Sequence, residues 1–209
     1  MKAGRKQERR LQHQDLSRAQ LLDAAEEVFG RRGFHDATLK EVAERAEFSV
    51  GSVYSFFANK DDVFLHVFLR RGGAFLAGMG AAAATQDPAV QRLRDLVAFE
   101  VGFFRAHPHF GRLYLRTSSA GSPLPAGGVD GAYAGGLERA MAVHASVFAA
   151  GQAERALRSG DPDVLARILS GIVTAYLAVD PAVIGEDDAS ADRMSLEELQ
   201  DLVTEAFRA

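Results

Sequence analysis

Val50, Gly51, Ser52, Tyr54, Ser55 and Phe56 fall on one side of a short helical pattern whose other side is Phe48, Val53 and Phe57. The outward set is small, uncharged and able to donate hydrogen bonds, which suits a helix that enters a DNA major groove. Val50 can touch a thymine methyl, Tyr54 and Ser55 can donate to phosphate or base edges, and Gly51 permits close backbone approach. Ser49 caps this helix, so the N–H groups of Gly51 and Ser52, with the Ser52 hydroxyl, can meet a phosphate.

Elsewhere such residues are sparse. His107 and His109 form an H-x-H pair for which no third ligand can be named, so no metal site is expected. Arg105, His107, His109, Arg112 and Arg116 gather around Pro108, either as a solvated basic face or as a seat for an anionic ligand group. There is no G-x-S-x-G elbow, no H-E-x-x-H, no P-loop and no cysteine. Neither enzyme catalysis nor a cofactor is therefore expected.

The reading helix needs neighbours to hold it, and caps and apolar spacing predict them. Thr38 with Glu41 predicts a capping box, followed by an inward face of Leu39, Val42, Ala43 and Ala46. The chain turns through Glu47, and Phe48 before the Ser49 cap staples onto Val53. Ser17 with Gln20 predicts a box opening the first helix, which carries Leu21, Leu22, Ala25, Val28 and Phe29 and ends on Gly33. Asn59, followed by Asp61 and Asp62, predicts a long fourth helix. Within it Gly72, Gly73, Gly78 and Gly80 each cost about 1 kcal/mol against alanine, so it breaks near Gly72 or is held by packing.

These residues resemble the DNA-binding domain of the TetR family of one-component transcriptional regulators. The resemblance rests on Gly33-Phe34, the T-x-x-x-V-A-x-x-A run from Thr38, S-x-G-S-V-Y from Ser49 and F-x-N-K-x-x-V from Phe57, within roughly the first 70 residues. It implies that Thr38, Lys40 and Lys60 clamp the DNA backbone on either side of the reading helix. It also implies dimerisation through the last two long helices. Glu47 stands where the family commonly has glycine, so the turn is expected to differ slightly. Phe56 replaces a frequent histidine and the phosphate contact usual there.

Net charge over the 209 residues is −4, but its distribution matters more. Residues 1–71 carry net +2 and residues 72–209 net −6. The domains read as a basic, disordered arm over 1–16, a helix-turn-helix domain over 17–62 and a ligand-binding and dimerisation domain over 63–209. The arm, with Lys2, Arg5, Lys6, Arg9 and Arg10, is a solubilising tail or an attractor for phosphates. No 18-residue apolar run suggests a membrane span, no signal peptide is evident, and the absence of cysteine is compatible with a cytoplasmic protein.

Beyond the fourth helix, Asp87-Pro88 and Asp161-Pro162 predict cap-plus-proline helix starts, and His107-Pro108 and Asp180-Pro181 predict stops. Residues 117–136 read as one long loop, 132–158 as a helix, and Ser195 with Glu198 as the box opening the last helix. The fold class is all-α, with about nine helices and no strand. Phe75, Phe99, Phe103, Phe110, Tyr114, Tyr133, Phe148 and Tyr176 are either plain core or the lining of an apolar ligand pocket between helices. Small residues Ala166, Ser170, Gly171, Thr174, Ala175 and Ala178 leave the 161–178 helix apolar on more than one side. A second copy is expected to cover Ile168, Gly171, Ile172 and Ala175, with Leu199, Leu202 and Val203 of the last helix.

The combined expectation is a homodimeric repressor that binds a near-palindromic operator and is released by a small, largely apolar effector. The rival is a helical small-molecule-binding or enzyme-like protein that keeps the helix-turn-helix only as scaffold.

Overall fold

A computed structural model describes residues 2–118, 129–185 and 194–209, with the side chains of 2–6, 9, 10, 118, 129, 130, 132 and 133 outside that description. Ten helices follow in order: α1 Lys2–Arg32, α2 Leu39–Ala46, α3 Val50–Phe56, α4 Lys60–Ala83 and α5 Ala89–Ala106. They continue with α6 Pro108–Ser118, α7 Val129–Ala153, α8 Pro162–Leu177, α9 Pro181–Ile184 and α10 Leu196–Phe207. Among the described residues the nearest thing to a strand is one isolated bridge between Leu157 and Arg208.

The head is built where short amphipathic helices close over Phe29, Val42, Val53, Phe57, Val63 and Phe64, all at most 2% exposed. Its boundaries follow the side-chain caps. Thr38 and Glu41 form a reciprocal box, Ser49 accepts from Ser52 N–H, and Asn59 accepts from Asp62 N–H. Gly33 ends α1 at φ +80°, donating its N–H to the Phe29 carbonyl at 2.7 Å. The Ser17–Gln20 box does not form, because α1 runs unbroken from Lys2 and puts Ser17 in its interior. Residues 2–16 are thus helical rather than a separate arm, and residues 11–16 are exposed.

Helix α4 passes through all four of its glycines without a break. It gives Val63, Phe64 and Val67 to the head and Phe75, Leu76 and Met79 to the larger bundle. Packing compensates for the glycines at one place: a Cβ on Gly78 would lie 2.0 Å from the Phe99 ring. At Gly72 and Gly73 nothing lies within 4 Å of such a Cβ.

Helix α5 is the axis of the bundle, with Leu93, Leu96, Val97 and Val101 fully buried. Asp87 does not cap it. The first N–H of α5, on Ala89, goes instead to the Glu154 carboxylate at 2.8 Å, across from the end of α7. The predicted 132–158 helix begins earlier, at Val129, and stops at Ala153, where Arg155 takes φ +57° and the chain turns back to α10. The expected 117–136 loop is narrowed from both ends by α6 and α7, and its centre, 119–128, lies outside the described residues. The tenth helix is the single turn α9, since the Asp180 carboxylate caps Ala182 N–H and restarts a helix where a stop was expected.

Candidate nucleic-acid interface and a distant cavity

Helix α3 buries Val53, and Phe57 just after it, on the inner side and leaves Gly51, Tyr54 and Ser55 exposed, with Val50, Ser52 and Phe56 half-buried. Tyr54 is 57% exposed, a large aromatic held away from any core. The Ser49 and Ser52 hydroxyls are 2.8 Å apart, and Ser55 donates to the Ser52 carbonyl at 2.6 Å, so the serines also bind one another. A side chain added at Gly51 would meet nothing nearer than the Ser49 hydroxyl at 3.8 Å. Nothing within this chain requires glycine there.

The flanking residues behave differently from the expectation. Lys60, expected on the DNA backbone, turns its ammonium inward and donates to the carbonyls of Phe34, His35 and Ala37 at 2.8, 3.2 and 3.0 Å. The same ammonium lies 4.4 Å from the centre of the Phe34 ring. Three N–H bonds exhaust its donors, so Lys60 fastens the α1–α2 loop rather than reaching outward. The Thr38 hydroxyl accepts from Glu41 N–H at 3.2 Å and donates to the Glu41 carboxylate at 2.9 Å. Lys40 stays exposed beside Glu44 at 3.6 Å, a pair of little energetic weight. Glu47 enters the left-handed region at φ +61°, so the turn keeps the form glycine favours while carrying a glutamate.

A cavity of about 130 Å³ lies in the second half, walled by α4, α5, α6 and α7, with Ser170 from α8. Of the eight aromatics expected as ligand residues, Phe75, Phe110 and Tyr114 line it. Phe99, Phe103, Phe148 and Tyr176 are not among its lining residues. Phe99 packs on Gly78, Phe103 on His107, Phe148 on Phe207, and the Tyr176 hydroxyl accepts from Arg105 at 2.9 Å. The Tyr133 side chain lies outside the described residues.

Two lining residues that sequence reasoning missed are polar. Glu100 and His144 are 5% and 1% exposed, and a Glu100 carboxylate oxygen lies 2.5 Å from His144 Nε2. His144 Nδ1 has no hydrogen-bond partner. A signal existed: Glu100 interrupts the inward row Leu93, Val97, Val101, Phe104 on α5, and His144 interrupts Ala140 and Val147 on α7.

Between head and cavity, charges are absorbed internally. Buried Glu26 on α1 accepts from Arg70 and Arg71 of α4 at 3.1 and 2.6 Å. In the basic cluster near Pro108, Arg105 and Arg116 are exposed and His107, His109 and Arg112 half-buried, and its arginines are engaged within the chain. Arg105 binds Asp180 at 2.7 Å, Arg112 binds the Val183 carbonyl at 2.9 Å, and Arg116 reaches the Arg31 carbonyl at 3.3 Å. His109 Nδ1 lies 2.6 Å from Arg112. Burial, followed by the Arg71 charge, lowers the His107 imidazole from its ordinary range, and burial followed by the Arg112 charge does the same for His109. Helices α1 and α6 touch backbone to backbone, since a Cβ on Gly30 would sit 2.5 Å from the His109 carbonyl oxygen.

Helix α8 presents an apolar stripe to solvent: Val164 and Ile168 are 52% and 50% exposed, with exposed Gly171 and Ala175 after them, and Val179 just past its end is 61% exposed. Leu202 of α10 is 44% exposed. Leu199 and Val203, expected on the same interface, are instead 2% and 0% exposed, because α10 packs that side on α5. Among the described residues, no helix is long and apolar enough to cross a membrane.

Residues 21–67 match the profile of bacterial regulatory proteins, tetR family. Over 83 residues the chain is 40% identical to the HTH-type transcriptional activator FasR of Mycolicibacterium smegmatis, covering 40% of this chain and 38% of that one. The match therefore spans about two fifths of the curated relative's length. The whole fold resembles that of a transcriptional regulator from Saccharomonospora viridis in complex with choline, at TM-score 0.74, 21% identity and coverage of 93% of this chain and 99% of that one. It also resembles FadR from Bacillus subtilis in complex with stearoyl-CoA, at TM-score 0.70, 18% identity and coverage of 90% and 95%. At such identities these likenesses concern the fold.

Proposed function

We propose that the chain is a DNA-binding transcriptional regulator of the tetR family, a ligand-responsive homodimeric repressor working in the cytoplasm. The observation carrying this reading is the capped helix α3, which exposes Gly51, Tyr54 and Ser55 with no charge and keeps Val50 half-buried at its first turn. Two such helices fit successive major grooves about 34–36 Å apart on a near-palindromic operator. Thr38, Lys40, Ser49, Ser52 and Phe56 flank that face. The apolar stripe of α8, with Leu202, supports pairing with a second copy, which would remove it from water.

The cavity takes the effector in this reading. Its α4 wall belongs to the helix that holds Val63 and Phe64 in the head, and its α6 wall presses on α1 at Gly30. A ligand that binds better when these helices are spread apart favours a dimer whose reading heads no longer match the operator spacing. Proteins of similar fold have been solved in complex with choline and with stearoyl-CoA, which supports a ligand-responsive reading. Repression is the simpler outcome, because a bound dimer blocks polymerase by occupancy. The similarity to FasR, named an activator, favours the second reading, in which binding raises transcription.

Selection of genomic fragments bound by the purified protein tests the proposal. The expected result is enrichment of a short inverted repeat that survives polyanion competitor, and its position relative to the neighbouring promoter separates repression from activation. Binding lost entirely to competitor would leave the helix-turn-helix as scaffold only.

A further inference from the structure

Resting on the reading of the cavity as the effector site, we infer that its ligand has a ring-sized apolar body and one hydrogen-bond acceptor, a carbonyl or carboxylate oxygen, received by His144 Nδ1–H. The argument begins with the buried pair. Glu100 and His144 face each other at 2.5 Å and are both buried, with Arg139 of the cavity lining exposed at its edge, so net charge on the pair itself is strongly disfavoured. Two arrangements leave the pair neutral overall. Either a carboxylate accepts from an imidazolium, or a carboxylic acid donates to Nε2 of a neutral imidazole. In both, Nδ1 carries a proton. Among the described residues that N–H has no acceptor, although His144 is 1% exposed and lines the cavity. A buried donor left unpaired is unfavourable, so an arriving oxygen restores what folding removed.

The rest of the cavity sets the body of the ligand. Phe68, Phe75, Phe104, Phe110 and Met141 surround the space, and its volume of about 130 Å³ is comparable to apolar cavities that accept benzene. Gly72 opens the wall: a side chain placed there would enter space with no protein atom within 4 Å of its Cβ. Gly72→Leu is therefore the substitution chosen to occupy the cavity, since its Cβ meets no protein atom.

Three probes of similar size separate the parts of this inference: ethylbenzene, acetophenone and benzoate, titrated calorimetrically into the full chain. The expected result is that acetophenone or benzoate binds about tenfold or more tightly than ethylbenzene. The preferred one identifies the acceptor as neutral or anionic. The paired variant Glu100→Leu with His144→Phe should bind ethylbenzene still and lose the preference, and Gly72→Leu should bind none of the three. If that paired variant fails to fold, the ¹⁵N signal of His144 Nδ1 reports directly, and it should move with the acceptor probe and not with ethylbenzene. Equal affinity for all three probes, abolished by Gly72→Leu, overturns the acceptor and leaves the cavity standing as the site. No binding of any probe, or binding untouched by Gly72→Leu, overturns the cavity as effector site and the acceptor with it.

Discussion

The reading head and the cavity solve opposite problems with the same kind of helix. The head keeps its polar atoms at helix ends, where Thr38, Ser49 and Asn59 bind backbone groups three residues on, and keeps its interior apolar. The cavity region places a carboxylate and an imidazole inside an apolar bundle and leaves one nitrogen unanswered. The head, closed by the start of α4, meets its partner with a surface. The cavity is incomplete, and its partner must finish it.

The comparison predicts unequal responses to substitution. His144→Ala should be the most damaging, because it leaves the Glu100 carboxylate buried and alone, a loss of about 3–5 kcal/mol in urea unfolding. Ser55→Ala on the reading face should stay within about 0.5 kcal/mol. Equal losses would mean that the head is no more self-sufficient than the cavity.

Lys60→Ala tests a long-range polar contact of the head, the hold of one ammonium on three loop carbonyls. Removing an ammonium that serves three loop carbonyls should lower stability by about 2–3 kcal/mol, read by thermal unfolding. The slope of DNA affinity against salt should not change. A slope shallower by about two per dimer would return Lys60 to the phosphates.

Gly30→Ala addresses the seam between the regions. Its Cβ would collide with the His109 backbone, which cannot rotate away as a side chain could, so a loss of about 2 kcal/mol is expected in chemical unfolding. Glu47→Gly should do the reverse and stabilise by about 1 kcal/mol, since it relieves a left-handed glutamate. An unchanged melting temperature would show that Glu47 makes compensating contacts.

The smallest effect concerns pH. His107 and His109 take up protons less readily folded than unfolded, so their contribution to stability is complete above the unfolded value near 6.5 and declines as pH falls below it. His107→Gln with His109→Gln should flatten that decline, as followed by melting at pH 7.5 and 5.5.

How much of this was legible in the sequence depended on distance along the chain. The caps of α2, α3, α4 and α10 act over two or three residues, and their spacing located the helices. Lys60 misled because its partners stand 23 to 26 residues away, in a loop with no pattern of its own. Glu100 and His144 are 44 residues apart, and only packing of α5 on α7 brings them together. Phe75, Phe110 and Tyr114 could be nominated for the cavity but not separated from Phe99 or Phe148, since an aromatic in a core and one on a cavity wall look alike in sequence. Asp180 was read as a helix stop, yet its carboxylate also receives Arg105, a contact that no local spacing announces.

The shared helix α4 has a consequence for anyone who would treat the head as a portable module. A fragment ending at residue 62 would leave behind Val63, Phe64 and Val67, each at most 1% exposed. It would also lose the Arg70 and Arg71 contacts to Glu26. Such a piece lacks one wall of its own interior. A chimera that grafts this head onto a foreign sensor must therefore carry α4 at least through Arg71, and the graft then brings the first residues of the old cavity with it. Gene fusion by simple exchange at the helix-turn-helix boundary would yield an unfolded reader; exchange inside α4, beyond Arg71, would yield one that folds and answers to a new sensor.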